Sequence, residues 1–508
     1  MKRASGILMP IASLPSRFGI GCFDQAAYDF IDCLEKAGQT YWQILPMGPT
    51  GYGDSPYQSF STFAGNPYFI SLSELIKQGF LTEKECESAS EGTNDHFIRY
   101  DLIYQRRFAL LRKAFDNSGI ETDPDYNEFV QANADWLPDY SLFMAIKDSL
   151  GGVSFLEWDD DIRNRDPEAM VTYRNKLMNN VMFYQFLQYE FFKQWRSIKT
   201  YANEHHVEII GDIPIYVALD SADTWAHPDL FQFDENGVPT AVAGCPPDAF
   251  SADGQLWGNP LYRWEAHMET GFAWWINRIR HVYEWYDIVR IDHFRGFESY
   301  YSVPYGEKTA RNGSWMPGPG LDLFRAARRE LGEFRVIAED LGFLTDSVRE
   351  MLADSGFPGM KVLQFAFDSR EDSDYLPHKY ERNSVVYTGT HDNETTYSWW
   401  RSLAPVDKNV ALRYLGASRF TSRKRLTWRL IELAESSVSD LCIIPMQDFL
   451  CLGGYARINT PSTIGTNWVW RMKKDAFTDK LAARIYAMTK LYGRVDQSDK
   501  SASLTSTS

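Results

Sequence analysis

The chain has 508 residues, of which 44% are hydrophobic, as in a globular protein with a large core. Lys and Arg total 52 against 68 Asp and Glu, and the formal net charge of −16 disfavours nucleic acids and anionic membranes as partners. No apolar run reaches the roughly 18 residues of a transmembrane helix, so no membrane partner is predicted.

The first part of the chain has the pattern of a strand, a helix and a second strand, at residues 6–9, 24–38 and 41–45. From residue 46 to residue 207 the regular alternation is lost, while residues 97–115 and 181–204 show aromatic-rich helical patterns. Because this stretch is too long for one crossover connection, we expect an inserted helical subdomain.

The second part of the chain contains further short, apolar, β-branched runs, which are typical of parallel strands buried on both faces. Strands three to eight are predicted at residues 207–212, 286–292, 336–340, 361–367, 385–392 and 441–445, followed by a terminal helix at 475–491. The pattern predicts an α/β fold, a (β/α)8 TIM barrel with inserted, mainly helical subdomains. We expect one catalytic barrel over residues 1–492, insertions at about 47–206 and 213–285, and a disordered Ser/Thr-rich tail at 493–508.

Three predicted strands lead into an acidic residue at their carboxyl ends: Asp292, Glu339 and Asp392. Barrel enzymes place their chemistry at these ends. One such carboxylate alone is often an ordinary solvated turn residue. Three in the same position favour a catalytic rim.

Hydrolysis or transfer of a glycosyl group with retention needs two carboxyl groups about 5 to 5.5 Å apart, one acid and one nucleophile. Asp292 and Glu339 follow adjacent strands, which lie about 4.8 Å apart, so their side chains can reach that separation. Arg290 shares a strand face with Asp292 and is expected to keep it ionised, although a simple rim ion pair is the alternative. The spacing does not decide whether Glu339 or Asp340 faces the pocket.

Aromatic residues make up 15% of the chain, including 16 Trp, and many lie in segments rich in Gly, Pro and polar residues. Examples are Tyr57, Phe250, Trp257 and Trp468. Loop packing would explain each one singly, but together they suggest stacking on the apolar faces of sugar rings. His293 and His391 each adjoin a rim carboxylate, and we expect both to contact substrate.

Other chemistries lack a pattern in this sequence. No cluster has metal-ligand spacing and no glycine-rich phosphate loop is present, so neither a metal nor a cofactor is predicted. The six cysteines form no CxxC pair and are expected to be buried free thiols. The N-terminal apolar segment is interrupted by Pro10, too early for a signal peptide, and the expected location is the cytoplasm.

Six ordered motifs between about residues 5 and 492 resemble glycoside hydrolase family 77, the 4-alpha-glucanotransferases, also called amylomaltases or disproportionating enzymes. The motifs are Pro46-Met47-Gly48-Pro49-Thr50-Gly51-Tyr52-Gly53-Asp54-Ser55-Pro56-Tyr57-Gln58, Gly211-Asp212-Ile213-Pro214, Gln255-Leu256-Trp257-Gly258-Asn259-Pro260, Arg290-Ile291-Asp292-His293-Phe294-Arg295-Gly296, Ala338-Glu339-Asp340-Leu341-Gly342 and Gly389-Thr390-His391-Asp392-Asn393.

The resemblance implies that Asp292 is the nucleophile, Glu339 the general acid/base and Asp392 the carboxylate that stabilises the transition state. It also implies sugar contacts from Ser55, Tyr57, Asp212, Trp257, Arg290, His293, His391 and Asn467, to which we add Phe250 as an aromatic residue of a covering loop. The implied reaction transfers part of an α-1,4-glucan, such as a maltooligosaccharide or amylose, to the 4-hydroxyl of another glucan or of glucose.

Two other functions remain as alternatives. A mainly hydrolytic α-1,4-glucanase would use the same carboxylates, and a non-catalytic glucan-binding protein would need the aromatic residues but not three rim carboxylates. The sequence also departs from the family at Ala249, where many members have a second aromatic residue beside Phe250. This difference predicts weaker holding of the acceptor glucan.

Overall fold

Eight parallel strands close into a barrel. The structure, a computed structural model, describes residues 1–51, 53–247, 252–342 and 344–495. The barrel strands are β1 (Ala4–Leu8), β2 (Tyr41–Gln43), β3 (Glu208–Pro214), β6 (Ile288–Asp292), β9 (Val336–Ala338), β10 (Gly359–Val362), β11 (Ser384–Tyr387) and β12 (Leu441–Pro445). Their order around the barrel is β1-β12-β11-β10-β9-β6-β3-β2. The predicted fold class is therefore confirmed.

Both faces of the barrel strands are buried, which explains their continuous apolar runs. In β12, Leu441 and Ile443 belong to the cluster that fills the barrel. The alternate residues Cys442 and Ile444 pack outwards into the larger core beneath the helices. The same alternation places each strand's last residues either towards the barrel axis or towards the helix layer.

The sixth barrel strand lies earlier than predicted. It is β10, whereas residues 361–367 were expected; Leu363–Phe365 forms a 3-10 turn. The apolar run continues beyond the strand because Leu363, Ala366 and Phe367 are buried in the turn that follows. The apolar run therefore predicts correctly which residues are buried, but not where the strand ends.

Helices lie in the connections between barrel strands, except after β10, where Leu363–Phe365 and Pro377–Lys379 form 3-10 turns. Helix α1 is typical: its N-cap Asp24 accepts a hydrogen bond from the Ala26 amide at 3.0 Å. The helices after β1, β2 and β3 are α1 (Gln25–Lys36), α2 (Leu72–Lys77), α3 (Glu83–Glu87), α4 (Tyr100–Ser118), α5 (Pro124–Ala132), α6 (Leu137–Ser149), α7 (Asp160–Arg163), α8 (Pro167–Lys176), α9 (Met178–Glu204), α10 (Ala222–Ala226), α11 (Trp264–Glu269) and α12 (Ala273–Trp285). Those after β6, β9, β11 and β12 are α13 (Asp322–Leu331), α14 (Asp346–Ser355), α15 (Thr396–Ser402), α16 (Pro405–Tyr414), α17 (Arg423–Ser436), α18 (Met446–Phe449) and α19 (Asp479–Leu491).

A small antiparallel sheet stands beside the barrel and was not predicted. Its order is β5-β4-β7-β8, with β4 (Ala241–Cys245), β5 (Gln255–Pro260), β7 (Ser299–Pro304) and β8 (Ser314–Pro317). Two strands come from the connection after β3 and two from the connection after β6. Because β8 is wholly exposed and β5 partly so, neither has the apolar signature of a core strand.

The end of the described chain is anchored under the barrel. Arg494 is fully buried and donates hydrogen bonds to the carbonyl oxygens of Ala4, Glu435, Ser437, Ser439 and Asp440. The expected disordered tail at 493–508 is thus wrong for this residue, because a guanidinium with five backbone acceptors is tightly held. Residues 496–508 lie outside the described part.

Among the described helices, none is both long and apolar enough to cross a membrane.

Candidate active site

Asp292 and Glu339 lie side by side at the carboxyl end of the barrel. Asp292 is the last residue of β6, and Glu339 directly follows β9. The strands pair Ile291 with Ala338, and the Glu339 amide donates to the Ile291 carbonyl at 3.0 Å. The register therefore brings the two carboxyl groups to the same level on neighbouring strands.

The Glu339 carboxylate is held from the loops on both sides. One oxygen accepts from the His293 amide and the other from the Leu341 amide, both at 2.8 Å. Asp340 turns to the opposite side, where its carboxylate accepts from the Met360 amide at 2.6 Å. Of the two residues between which the sequence did not decide, Glu339 is therefore the one that faces Asp292.

Arg290 joins two carboxylates in the barrel mouth. One terminal nitrogen of its guanidinium lies 2.8 Å from both carboxylate oxygens of Asp212, and the other lies 2.9 Å from Asp292. Asp212 also accepts from the Tyr57 hydroxyl at 2.7 Å. Burial opposes the charge on Arg290, yet Asp212 and Asp292 outweigh it and raise the pKa of the guanidinium. Asp292 therefore has a permanent cation beside it.

Glu339 has the opposite electrostatic environment. Burial and the nearby charge of Asp292 raise the pKa of Glu339 to about 7. Arg290 and the two amide hydrogen bonds act in the other direction but do not cancel this effect. The two carboxyl groups therefore have different surroundings: Asp292 is paired with a cation, while burial and the charge of Asp292 favour the proton on Glu339.

Asp392 stands on the loop after β11, and its side chain is 45% exposed. The Asn459 side-chain amide donates to it at 2.6 Å, and His391 Nε2 lies 3.3 Å from the same carboxylate oxygen. The surroundings of Tyr57 connect this carboxylate to the others. Burial first, and then the charges of Asp212, Asp292 and Asp392, raise the pKa of the Tyr57 hydroxyl. The charges of Asp212, Asp292 and Asp392 therefore all act on one hydroxyl.

Aromatic side chains form two groups at the cleft. Tyr57 stacks on the His391 ring with centroids 5.1 Å apart and planes 16° from parallel, and Trp468 lies within 6.0 Å of both rings. Trp257 meets the His293 ring edge-on at 4.8 Å. Burial lowers the pKa of His293 to about 4, so this ring is neutral at pH 7.

Comparison with known proteins agrees with this geometry. The 4-alpha-glucanotransferase model of glycoside hydrolase family 77 matches residues 9–477. The chain belongs to this family. A 4-alpha-glucanotransferase of Clostridium butyricum is 49% identical over 490 residues, covering 96% of this chain and 100% of the relative. One from Streptococcus pneumoniae is 48% identical over 504 residues, covering 98% of each.

A solved structure gives the same result. The amylomaltase from Streptococcus agalactiae in complex with acarbose has a TM-score of 0.93 and 40% identity, covering 97% of this chain and 100% of that one. The resemblance seen in the sequence and the expected glycosyl-transferring class of enzyme are confirmed. Family membership favours the transferase over both alternatives, the hydrolytic glucanase and the non-catalytic binding protein.

Most of the residues that the family resemblance selected lie together. Tyr57, Asp212, Arg290, His293 and His391 are all connected to the rim carboxylates through the contacts described above. Two others have local roles in this structure.

Ser55 accepts a hydrogen bond from the Tyr57 amide at 3.3 Å. Asn467 directs its side chain to Thr460 and Thr463 of its own loop, receiving the Thr460 amide at 3.0 Å and donating to the Thr463 carbonyl at 2.8 Å. Phe250 and Ala249 lie outside the described residues.

Trp468 was not among the selected residues, although it completes the Tyr57 and His391 group. Its backbone is in the left-handed region at φ 64°, and its amide donates to the Ile458 carbonyl at 2.7 Å. This turn directs the ring to the cleft. The aromatic composition drew attention to Trp468, but its position depends on a loop conformation that no sequence period reveals.

Proposed function

We propose that this protein transfers segments of α-1,4-glucans by a retaining double displacement at Asp292 and Glu339. The observation that carries this proposal is the difference between the two carboxyl groups. Asp292 has a buried guanidinium at 2.9 Å, and the pKa of Glu339 is raised to about 7. A nucleophile must be ionised and a general acid protonated at the same pH.

In the first step, Glu339 protonates the bridging glycosidic oxygen while Asp292 attacks the anomeric carbon. The bond to the leaving glucan breaks and a β-linked glycosyl-enzyme forms. In the second step, the 4-hydroxyl of an acceptor attacks the same carbon, and Glu339 removes its proton. The new α-1,4 bond restores the free carboxylate of Asp292 and the proton on Glu339.

We assign Asp392 to stabilisation of the positive charge that develops on the sugar ring. It is the most exposed of the three rim carboxylates, and the Asn459 amide fixes its orientation at 2.6 Å. The adjoining His391 ring, stacked on Tyr57, offers a polar edge to sugar hydroxyls. The Trp257 and His293 pair provides a second aromatic contact for the glucan.

Transfer exceeds hydrolysis only if water is kept from the glycosyl-enzyme. We propose that the aromatic residues around the cleft, with Phe250 of the covering loop, exclude it when glucan occupies both sides. Glucose is proposed as the smallest acceptor, because it carries the same 4-hydroxyl as a glucan end.

The cytoplasm is the proposed location. Within the described residues none of the six cysteines forms a disulfide, and three of them are buried, which suits a reducing compartment.

Maltotriose as sole substrate tests this function. Transfer makes one bond for each bond broken, so glucose and longer oligomers should appear while the number of reducing ends stays nearly constant. Adding labelled glucose should place label at the reducing end of new oligomers. A rise in reducing ends equal to the rate of glucose release would identify a hydrolase instead.

A further inference from the structure

The loop that carries Asp392 is held at both of its ends by one buried carboxylate. The loop begins at Thr388, directly after β11, and ends at Thr396, the first residue of α15. Asp448, in α18, accepts the hydroxyls of Thr388 and Thr396 on one carboxylate oxygen, both at 2.6 Å. Its other oxygen accepts the Thr396 amide at 2.7 Å. The two ends of the loop therefore meet at a single side chain.

A second buried side chain holds the same loop from the other side of β11. The side chain of Gln364, in the turn after β10, donates to the Glu394 carbonyl at 2.7 Å, and its backbone amide donates to the Thr388 carbonyl at 3.2 Å. A Cβ atom on Gly389 would come within 2.7 Å of the Gln364 side chain, so the loop runs close against it. Because β10 and β12 are the neighbours of β11, the loop is fixed to the connections on both sides.

The middle of the loop is fixed by residues that also follow β12. The Asn459 side chain donates to the Asp392 carboxylate, as described above, and the Asn459 amide donates to the His391 carbonyl at 3.0 Å. Arg457 donates to the Asp392 carbonyl at 2.6 Å and to the Asn459 carbonyl at 2.7 Å. The connection after β12 therefore holds the ends of the loop through Asp448 and its middle through Arg457 and Asn459.

Asp448 is too deeply buried to contact a glucan. Its side chain is 1% exposed, and Thr388 and Thr396 are fully buried. Satisfying two buried hydroxyls would be reason enough for a carboxylate at this position. The place of these hydroxyls favours a more specific role, because they bracket the residues that include His391 and Asp392. Displacing a group near the reacting atoms by about 1 Å can cost about 100-fold in rate.

We propose that Asp448 is a positioning residue for Asp392, which fixes the Asp392 carboxylate relative to the reacting sugar without touching the sugar. The inference rests on the proposed function, in which Asp392 stabilises positive charge on the sugar ring. Because that charge develops only in the transition state, displacement of Asp392 should lower kcat much more than it raises KM.

A double-mutant cycle of Asp448→Ala with Asp392→Ala tests the proposal. Asp448→Ala alone should lower kcat for fluoride release from α-maltotriosyl fluoride about 10- to 100-fold, with less than about a threefold change in KM. In the Asp392→Ala background the group to be positioned is absent, so the same substitution should change kcat less than about threefold. An equal loss in both backgrounds would overturn the proposal, because Asp448 would then act on the fold in general.

The conservative variant separates position from charge. Asp448→Asn should keep kcat within about threefold of the unmodified protein, since its carbonyl oxygen can accept the Thr396 amide and its NH2 group can donate to both hydroxyls. A loss equal to that of Asp448→Ala would overturn the positioning role, which needs the hydrogen bonds and not the charge.

A milder variant keeps the test decisive if Asp448→Ala fails to fold. Thr396→Val keeps the β-branched shape and removes one of the two hydroxyls. It should lower kcat about three- to tenfold when Asp392 is present, through loss of one hydrogen bond, and less than about twofold in the Asp392→Ala background. Equal losses in the two backgrounds would again overturn the proposal.

Asp24→Ala is the matched control for loss of a buried carboxylate. Asp24 is 5% exposed and accepts from the Ser16 hydroxyl at 2.7 Å and the Ala26 amide at 3.0 Å. Its replacement should lower the melting temperature, as Asp448→Ala does, but should leave kcat within about twofold of the unmodified protein. A loss of kcat as large as that in Asp448→Ala would overturn the specific role of Asp448.

The maltotriose assay separates this proposal from the proposed function. If the unmodified protein redistributes maltotriose and Asp448→Ala has the same kcat as the Asp24→Ala control, only the positioning role is rejected. If the unmodified protein only hydrolyses maltotriose, the transferase is rejected. The double-mutant cycle still decides the role of Asp448 in that case, because a hydrolase would use the same carboxylates.

Discussion

Asp292 and Glu339 are both carboxyl groups at adjacent strand ends, but their surroundings differ. The guanidinium of Arg290 lies against Asp292, while the raised pKa of Glu339 results from burial and from Asp292 itself. Asp212 matters here because it fixes the guanidinium from the other side with two contacts of 2.8 Å. Burial and the charge of Asp292 thus act together to favour the proton on Glu339.

Replacing Asp292 by Asn should leave the fold intact but lower the transfer rate at least about 10⁴-fold, because no covalent intermediate can form. Initial rates on maltotriose measure this, with circular dichroism to check folding. A variant with more than a tenth of the normal rate would remove Asp292 as the nucleophile.

The partner residue has a more specific test. In Glu339→Ala, α-maltotriosyl fluoride should still react with Asp292, since fluoride leaves without an acid. Azide should then attack the β-linked intermediate and give the α-azide. Formation of the β-azide in this variant would mean that residue 339 had been the nucleophile.

The pKa of Glu339 predicts the alkaline limb of the pH profile. A raised pKa of about 7 means that the acid is protonated below that pH and loses its proton above it. With maltotriose, kcat/KM should therefore fall as pH rises through about 7. With α-maltotriosyl fluoride the fall should be much smaller. If kcat/KM falls equally with both donors as pH rises, a group other than Glu339 is responsible for the fall.

At this scale the sequence indicated the three rim carboxylates, because each follows an apolar run that only a buried strand explains. It could not choose between Glu339 and Asp340, since alternation puts them on opposite sides without saying which side is the pocket. The position of the Trp468 ring could not be predicted because it depends on a left-handed turn. The hydrogen bonds of Asn467 could not be predicted because they depend on the shape of its loop.

Among the elements, the loops at the carboxyl ends of the strands determine what the site holds. The segment that contains Tyr57 brings one ring to Asp212 and His391, and the residue 460–468 loop brings Trp468 to the same group. Asn467 stabilises that loop from within. Barrel strands therefore place the chemistry, and loops shape the cleft.

The segment around Phe250, which the family resemblance places over the glucan, gives an element-scale prediction that rests on the sequence. Ala249 leaves Phe250 without the second aromatic residue of many family members. Ala249→Tyr should therefore lower the acceptor KM or shift the products to longer chains, with a change of about two- to tenfold in the preference between acceptors. The first-step rate on α-maltotriosyl fluoride should hardly change. Product sizing from maltotriose measures product length, initial rates at varied acceptor concentration measure the acceptor KM, and fluoride release measures the first step.

Phe250→Ser is the opposing variant and should raise the share of hydrolysis. Unchanged acceptor KM, product length and hydrolysis share in both variants would mean that this loop lies away from the glucan.

The elements themselves were predictable where both faces are buried. All eight barrel strands correspond to predicted apolar runs, although β10 begins two residues earlier than its prediction. The β5-β4-β7-β8 sheet was missed for a physical reason. Its outer strands are exposed, β8 wholly and β5 in part, and its four strands come from two separate connections, so neither composition nor sequence neighbourhood indicates their pairing.

At the scale of the whole molecule, Arg494 links the segment after α19 to the first strand. It lies 3.3 Å from the buried Glu435 carboxylate and donates to the Ala4 carbonyl at 3.0 Å. Arg494→Ala should destabilise the fold by about 3 to 5 kcal/mol, because it leaves five backbone carbonyls without their donor and removes a cation from the buried Glu435, whose pKa burial already raises to about 7. Thermal melting measures this, with the exposed Arg329→Ala as control.

A second substitution tests the cause. Glu435→Gln added to Arg494→Ala should recover part of the lost stability, since the unpaired charge is then removed. Equal melting temperatures for Arg494→Ala and Arg329→Ala would show that the buried contacts of Arg494 contribute nothing measurable.

Because β1 pairs with β12, the barrel can close only late in synthesis. The first strand, Ala4–Leu8, pairs along its whole length with the last, Leu441–Pro445. At ribosomal speeds of about 5 to 20 residues per second, β1 emerges roughly 20 to 90 s before β12 exists. During that interval the edge of β1 has only β2 as a neighbour, and the barrel cannot close until the ribosome has delivered nearly the entire chain.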